Sequence, residues 1–276
     1  MKPDWLKIRL GNNSQFTQTK KTLETRRLHT ICSSGRCPNQ GECWSRGTAT
    51  FLIAGDICTR SCKFCNTRTG KPLPLDMTEP QRIAESVREL KLVYVVLTSV
   101  NRDDLPDLGA KHWVGTIQTI KTMNPAVRIE TLIPDFQGRE NLIDMIIDAR
   151  PNVIGHNVET TERLTPEVRS AATYATSLGI LRYISQRGRT TKTGLMLGLG
   201  ETADEVLQTI DDIWDAGCRR LTIGQYLQPS RRHIPVREYV SPDVFAFFKE
   251  KALERGFIHV ESAPLVRSSY HADFFL

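Results

Sequence analysis

Apolar residues along the chain follow two alternating rhythms. Short runs dominated by Val, Ile, Leu and Thr occupy 50–54, 94–98, 128–133, 153–156, 193–197 and 220–226. Near-continuous apolarity of this kind predicts strands buried on both faces, as in a parallel sheet. Between them the apolar residues recur at helical spacing over 79–91, 110–122, 138–149, 170–187, 202–216 and 242–255. Pro80 and Pro242 stand where the first turn of two of these helices is predicted, and Gly217 where one stops. Six strands alternating with six helices predict an α/β fold with parallel strands and right-handed crossovers. Eight such units close a TIM-type barrel, so six predict a partial (β/α)6 TIM-type barrel; a doubly wound sheet is the competing layout. In both, ligands bind at the carboxyl ends of the strands.

The flanks break the rhythm. Residues 1–48 are polar and are predicted to be an N-terminal extension of short helix and loop. Its helix is expected over 17–29, with Lys20, Lys21, Arg26 and Arg27 facing water. Residues 258–276 are predicted to be an extended, loop-like capping segment. The chain thus divides into 1–48, a barrel over 49–257, and 258–276, with no internal repeat or low-complexity linker.

Composition narrows the class. Of 276 residues, 39% are hydrophobic and 25% charged, which is ordinary globular usage and argues against disorder. There is no run of about 18 apolar residues, so no membrane partner is expected. The opening Met1-Lys2-Pro3-Asp4-Trp5-Leu6-Lys7 lacks the apolar stretch of a secretory signal, and its early acid and proline argue against a transit peptide. A cytoplasmic location is expected, where thiols stay reduced. The formal charge of +6 suits an acidic macromolecular partner, but no long basic block or RNA-recognition motif accompanies it, so nucleic acid is not expected.

The cysteines carry the chemistry. Of seven, six lie within 34 residues: Cys32, Cys37 and Cys43 spaced C-x4-C-x5-C, then Cys58, Cys62 and Cys65 spaced C-x3-C-x2-C. Cys218 stands apart and is expected to be a small buried hydrophobe. Structural zinc takes four tetrahedral ligands, usually as C-x2-C pairs, and neither trio has that layout. A four-iron cluster fits better. Its four corners normally take four cysteines, so a trio leaves one iron open, and an amino-carboxylate ligand can chelate it.

The segment Cys58-Thr-Arg-Ser-Cys62-Lys-Phe-Cys65, placed just after the first predicted strand, resembles the signature of the radical S-adenosylmethionine (SAM) superfamily. The resemblance implies that Cys58, Cys62 and Cys65 hold a [4Fe-4S] cluster that reductively cleaves SAM, and that the resulting 5′-deoxyadenosyl radical abstracts hydrogen from an unactivated carbon. Phe64 could then pack on the adenine. Thr98 and Ser99 at one strand end, and Asn157 and Glu159 at another, are candidates for SAM contacts. Arg169 could pair with the SAM carboxylate bidentately. Gly198-x-Gly200 lacks a third glycine and is not read as a dinucleotide site, and His112 and His156 are read as packing or hydrogen-bonding residues.

The first trio narrows the superfamily. His29-Thr30-Ile31-Cys32, Cys37-Pro38-Asn39-Gln40-Gly41-Glu42-Cys43-Trp44 and Gly47-Thr48-Ala49-Thr50-Phe51 are similar to lipoyl synthases. So are Arg102-Asp103-Asp104-Leu105, Leu132-Ile133-Pro134-Asp135-Phe136-Gln137-Gly138, His156-Asn157-Val158-Glu159-Thr160 and Arg267-Ser268-Ser269-Tyr270-His271-Ala272. The resemblance covers almost the whole chain. It departs at Ser262-Ala263-Pro264, where many relatives have Ser-Gly-Pro, and at Asp107-Leu108-Gly109, neither of which replaces a ligand. It implies a second [4Fe-4S] cluster on Cys32, Cys37 and Cys43, with its fourth iron held by a serine oxygen, Ser269 or alternatively Ser268. It further implies that this auxiliary cluster is the sulfur donor. Two sulfurs enter an octanoyl-lysine at carbons 6 and 8, with two SAM consumed. The implied partners are octanoylated lipoyl carriers (glycine cleavage H protein, lipoyl domains of 2-oxoacid dehydrogenases), an electron donor and an iron–sulfur cluster repair protein. The competing readings are another sulfur-inserting radical SAM enzyme, such as a methylthiotransferase, and a non-catalytic metal-binding interaction module.

Overall fold

The computed structural model describes residues 3–8, 13–46, 48–270 and 272. Gly47 and His271 of the family-like stretches, residues 1–2 and 9–12 of the N-terminal extension and 273–276 of the terminal segment lie outside the described residues. Two compact units are present. The first comprises 8–60 and 66–152; the second comprises 3–7, 61–65 and the described residues from 153 onward.

The first unit contains, in order, α1 (Ser14–Thr25), β1 (His29–Thr30), α2 (Ile31–Ser34), α3 (Gln40–Ser45), β2 (Thr50–Ile53), β3 (Ile57–Cys58), β4 (Arg68–Thr69), α4 (Glu79–Glu89), β5 (Tyr94–Ser99), α5 (Ala110–Met123), β6 (Arg128–Leu132) and α6 (Glu140–Asp148). Strands β2, β5 and β6 are parallel, with Thr50 opposite Val96 and Tyr94 opposite Arg128. β1 adds antiparallel to β2, with His29 opposite Leu52. Phe51, Ile53, Val95, Leu97 and Ile129 are fully buried, as are Ala84 and Val87 of α4 and Ile117 and Ile120 of α5. That is the burial expected of a parallel sheet covered by helices.

The second unit contains β7 (Val153–Gly155), α7 (Thr165–Val168), α8 (Tyr174–Gln186), β8 (Thr191–Leu197), α9 (Ala203–Asp215), β9 (Arg220–Gln225), α10 (Pro242–Arg255) and β10 (His259–Ser262). All four strands are parallel to their neighbours, in the order β7-β8-β9-β10. One apolar cluster joins Leu195, Leu197, Leu221 and Ile223 of the strands to Leu181, Val206, Ile210, Ile213, Phe245 and Phe248 of the helices. Cys218 is fully buried in it. Local chemistry sets the helix ends. Asn13 caps α1, its side chain accepting from the amide of Phe16 at 2.8 Å. Thr202 and Glu205 form a reciprocal capping box on α9. Gly256, with φ 109°, closes α10.

Three sequence expectations change. The first helix starts at Ser14 and ends at Thr25, not His29, because His29 and Thr30 leave it to pair with β2. Arg26 does not face water. Its half-buried guanidinium meets Glu89 at 3.0 Å and also pairs with Glu85, tying α1 to α4. The terminal segment is not loop throughout, since His259–Ser262 forms β10 along β9.

Candidate active site

The cysteine loop begins where β2 ends. Ala54 and Gly55 turn the chain with φ of 66° and 94°. An L-alanine in this left-handed region is strained and must be held. Its N–H donates to Glu79 Oε2 at 2.8 Å, and its carbonyl accepts from Arg102 at 3.1 Å. Glu79 is held in turn by His112 at 2.6 Å, and Arg102 by Asp104 at 2.9 and 2.8 Å. The neck of the loop is closed by β3 pairing with β4 and by the Gly70 N–H on the Cys58 carbonyl at 3.0 Å.

Cys58, in the first unit, is surrounded by donors. Its sulfur accepts from the amide of Asn101 at 3.3 Å, from the amide of Arg60 at 3.4 Å and from Asn101 Nδ2 at 3.8 Å. Cys62 and Cys65 belong to the second unit. The Cys62 sulfur lies 3.6 Å from the Ser170 hydroxyl. The Cys65 carbonyl accepts from His233 Nε2 at 3.0 Å, and His233 Nδ1 is 2.9 Å from Ser230 Oγ. A carbonyl can only accept, so the proton sits on Nε2 and the Ser230 hydroxyl donates to Nδ1. Phe64 packs against an apolar cluster of Leu164, Val168, Leu199, Tyr226 and Ile234.

The first trio lies within the first unit. Cys32 is on α2 and Cys43 on α3, with Cys37 in the turn between them; the Cys37 amide donates to the Cys32 carbonyl at 2.9 Å. Burial pushes the Cys32 thiol up to about 11, and a neighbouring charge on Cys37 adds to the effect. Cys43 is pushed to about 12, first by burial and then by Cys32, Cys37 and Glu42. The three sulfurs are therefore close enough to oppose one another's ionisation, which a bound cation reverses. The buried indole N–H of Trp44 lies beside Cys32 and favours its thiolate. A buried N–H donor beside three thiols that oppose one another's ionisation fits a thiolate-bound cluster, whose sulfurs take such hydrogen bonds. Among the described residues, no three His, Cys, Asp or Glu side chains converge as a single-ion site.

The candidates for SAM contact fall into two groups. In the first unit, the Thr98 hydroxyl donates to the Leu132 carbonyl at 3.1 Å, and Ser99 Oγ accepts from Trp113 at 3.1 Å. In the second unit, Asn157, Glu159, Arg169 and Ser268 come together. Asn157 Nδ2 donates to Ser268 Oγ at 2.8 Å and to Glu159 Oε1 at 3.1 Å. Burial raises the Glu159 carboxyl, while the Arg169 charge and the Asn157 amide pull it back. Glu159 has φ 73°, held by its own N–H on Gly194 and its carbonyl under Met196. Arg169 reaches Ser177 Oγ at 2.7 Å, and its Nε is buried without a partner. A carboxylate ligand would satisfy that atom. A Cβ on Gly194 would crowd this group, standing 2.9 Å from Thr222 Oγ1, 3.0 Å from Asn157 Oδ1 and 3.1 Å from Ser268 Oγ.

The Radical SAM superfamily model matches residues 52–213. A lipoyl synthase of Parabacteroides distasonis is 64% identical over 272 residues, covering 99% of this chain and 97% of its own length. One from Porphyromonas gingivalis is 60% identical over 273 residues, with the same coverage. The chain belongs to the lipoyl synthases, within the radical SAM superfamily. Solved structures agree on the fold. Streptococcus suis SuiB bound to S-adenosylmethionine superposes with a TM-score of 0.63 at 10% identity, over 91% of this chain and 62% of SuiB. Methylornithine synthase (PylB) gives 0.56 at 13% identity, over 91% of this chain and 83% of its own. As a lipoyl synthase the chain is a radical SAM enzyme of the α/β, partial-barrel class, and its superfamily implies a [4Fe-4S] cluster and SAM. Among the described residues, no helix is long and apolar enough to cross a membrane.

Several residues of this lipoyl synthase escaped the sequence reading: Asn101, Arg60, Trp44 and His233. Arg60 offered a signal, since a charged residue inside a cysteine loop must be either exposed or paired. Asn101 acts mainly through its backbone amide, which leaves no trace in a side-chain pattern.

Proposed function

We propose that the chain inserts sulfur at carbons 6 and 8 of an octanoyl-lysine on a lipoyl carrier protein, using an auxiliary [4Fe-4S] cluster as donor. Cys32, Cys37, Cys43 and Ser269 would hold that cluster, and Cys58, Cys62 and Cys65 the one that binds SAM. The observation that carries the reading is the first trio, three thiols gathered on α2, α3 and their turn with the buried indole N–H of Trp44 beside Cys32. Ser269 is preferred over Ser268 as the residue of Arg267-Ser268-Ser269-Tyr270 that matches the family's serine. A serine oxygen is a harder ligand than a thiolate and the weaker partner for such iron, which suits a cluster that must open.

Bound SAM and a reduced cluster supply the radical that abstracts substrate hydrogen. The protein's task is orientation and exclusion of water. Arg169 would take the SAM carboxylate, with Asn157 and Glu159 beside it; Thr98, Ser99 and Phe64 complete the proposed contacts. The functional division is 1–48 for the auxiliary site, 49–257 for the barrel and 258–276 for the cap carrying Ser269. Six thiols that must remain reduced suit the cytoplasm. The carriers would be the glycine cleavage H protein and lipoyl domains of 2-oxoacid dehydrogenases, with an electron donor and a cluster repair protein completing the cycle.

The test is anaerobic reconstitution followed by turnover on an octanoylated carrier. The expected yield is about two four-iron clusters per chain, with 5′-deoxyadenosine and lipoylated carrier seen by mass spectrometry. Cys37→Ala should still cleave SAM but form no lipoyl product. Full product from that variant would overturn the donor assignment.

A further inference from the structure

Arg60 stands between Cys58 and Cys62, and its side chain is only 9% exposed. A buried guanidinium is tolerated only when its charge and its N–H groups are matched. Nε and NH2 of Arg60 reach the two oxygens of Asp103 at 2.8 and 2.7 Å, and NH1 reaches Asp135 at 2.6 Å. These aspartates follow β5 and β6, the strand ends at which a barrel ligand sits. Both are themselves fixed. Asp103 accepts from the Thr59 hydroxyl at 2.7 Å and Gln137 Nε2 at 3.0 Å, while Asp135 accepts from the Gln137 amide at 2.9 Å. Thr59 is held further by its N–H, which donates to the Asn101 carbonyl at 3.2 Å.

The clamp grips the two residues that follow Cys58 and the segment that follows β5. Those are the segments whose amides meet the Cys58 sulfur, Arg60 at 3.4 Å and Asn101 at 3.3 Å. We propose that Arg60 is a positioning residue for the SAM-binding cluster: held by Asp103 and Asp135, it fixes the loop so that the Arg60 and Asn101 amides donate to the sulfur of Cys58. The claim rests on the reading of Cys58 as a cluster ligand. Hydrogen bonds to a ligating sulfur withdraw charge from it and raise the reduction potential of the cluster.

The sign of the effect separates positioning from plain electrostatics. Neutralising Asp103 removes a negative charge, which by itself makes the cluster easier to reduce. Loosening the amides makes it harder to reduce. The experiment is a potentiometric titration of the reconstituted full-length protein, following the electron paramagnetic resonance signal that SAM perturbs. Arg60→Ala and Asp103→Asn should both move the midpoint more negative, and the double variant should move it no further than the larger single shift. Arg60→Lys, which can serve one carboxylate but not both, should fall between wild type and Arg60→Ala. A positive shift or no shift for Asp103→Asn, or additive shifts in the double variant, would overturn the clamp. If Asp103→Asn takes up less iron than wild type, Asp135→Asn is titrated in its place and must also shift negative; any other result overturns the proposal. A wild-type protein with no SAM-sensitive signal would instead defeat the ligand assignment of Cys58 itself, a distinct failure.

Discussion

His233 holds Cys65 from behind, through a single N–H on the Cys65 carbonyl at 3.0 Å. A neutral hydrogen bond of this kind is worth about 0.5–1.5 kcal/mol. His233→Ala should therefore speed the loss of iron from the SAM-binding cluster to a chelator. His233→Gln, which keeps a donor, should recover much of the retention; equal loss in both variants would deny the bond its role. Asp103 makes a pH prediction. Its bond to Arg60 holds the carboxyl at about 2, aided by Thr59 and Gln137, against about 3.9 in an unfolded chain. A depressed carboxyl stabilises the fold fully above its unfolded value, and that contribution fades as pH falls through its folded one. Acid unfolding followed by circular dichroism should thus lose stability between about pH 4 and 2, about 1 kcal/mol once solvent screening of the pair is counted. In Asp103→Asn that part of the pH dependence should be absent.

At the level of elements, α9 depends on its first turn. Thr202 Oγ1 accepts from the Glu205 amide at 3.3 Å, and the Thr202 amide donates to Glu205 Oε2 at 2.8 Å. Thr202→Ala should cost about 1 kcal/mol, read as a lower midpoint in urea. Elements like this one were legible in the sequence because they carry their own signal: a cap, a period and a stop. The six expected strands and the six expected barrel helices all stand within a few residues of their expected places. Helix α8 begins at Tyr174 rather than residue 170 because Thr173 caps it, its side chain accepting from the Thr176 amide at 3.0 Å. The elements that sequence missed are β1, β3, β4 and β10, of two to four residues each, with α2, α3 and α7. A two-residue strand has no periodicity. His29–Thr30 is a strand only because residues 51 and 52 lie opposite it. The candidate site followed the same rule: cysteine spacing is a local signal, whereas the Arg60–Asp103–Asp135 clamp joins residues up to 75 apart in the chain.

For the whole molecule, the class of fold and the chemistry were legible, and the division into two compact units was not. One boundary falls inside the cysteine loop itself, after Arg60, and another after Cys65. No composition change marks either position. The net charge of +6 yields a prediction at this scale. Carrier domains that are acidic should be drawn by long-range attraction, which salt screens within about 8–10 Å at physiological strength. Raising salt should therefore increase KM for an octanoylated carrier protein more than it lowers kcat, and should leave a short octanoyl-lysine peptide almost unaffected. Equal sensitivity of both substrates would show that charge plays no part in docking. The backbone around the first three cysteines has a further consequence. The Cys37 amide on the Cys32 carbonyl, the Cys43 amide on the Asn39 carbonyl and the Thr48 amide on the Cys43 carbonyl all join protein atom to protein atom. In the proposed donor role, none of these bonds would be spent when sulfur leaves with the product. That role would make the polypeptide a refillable socket rather than a single-use cartridge, its backbone outliving the inorganic filling.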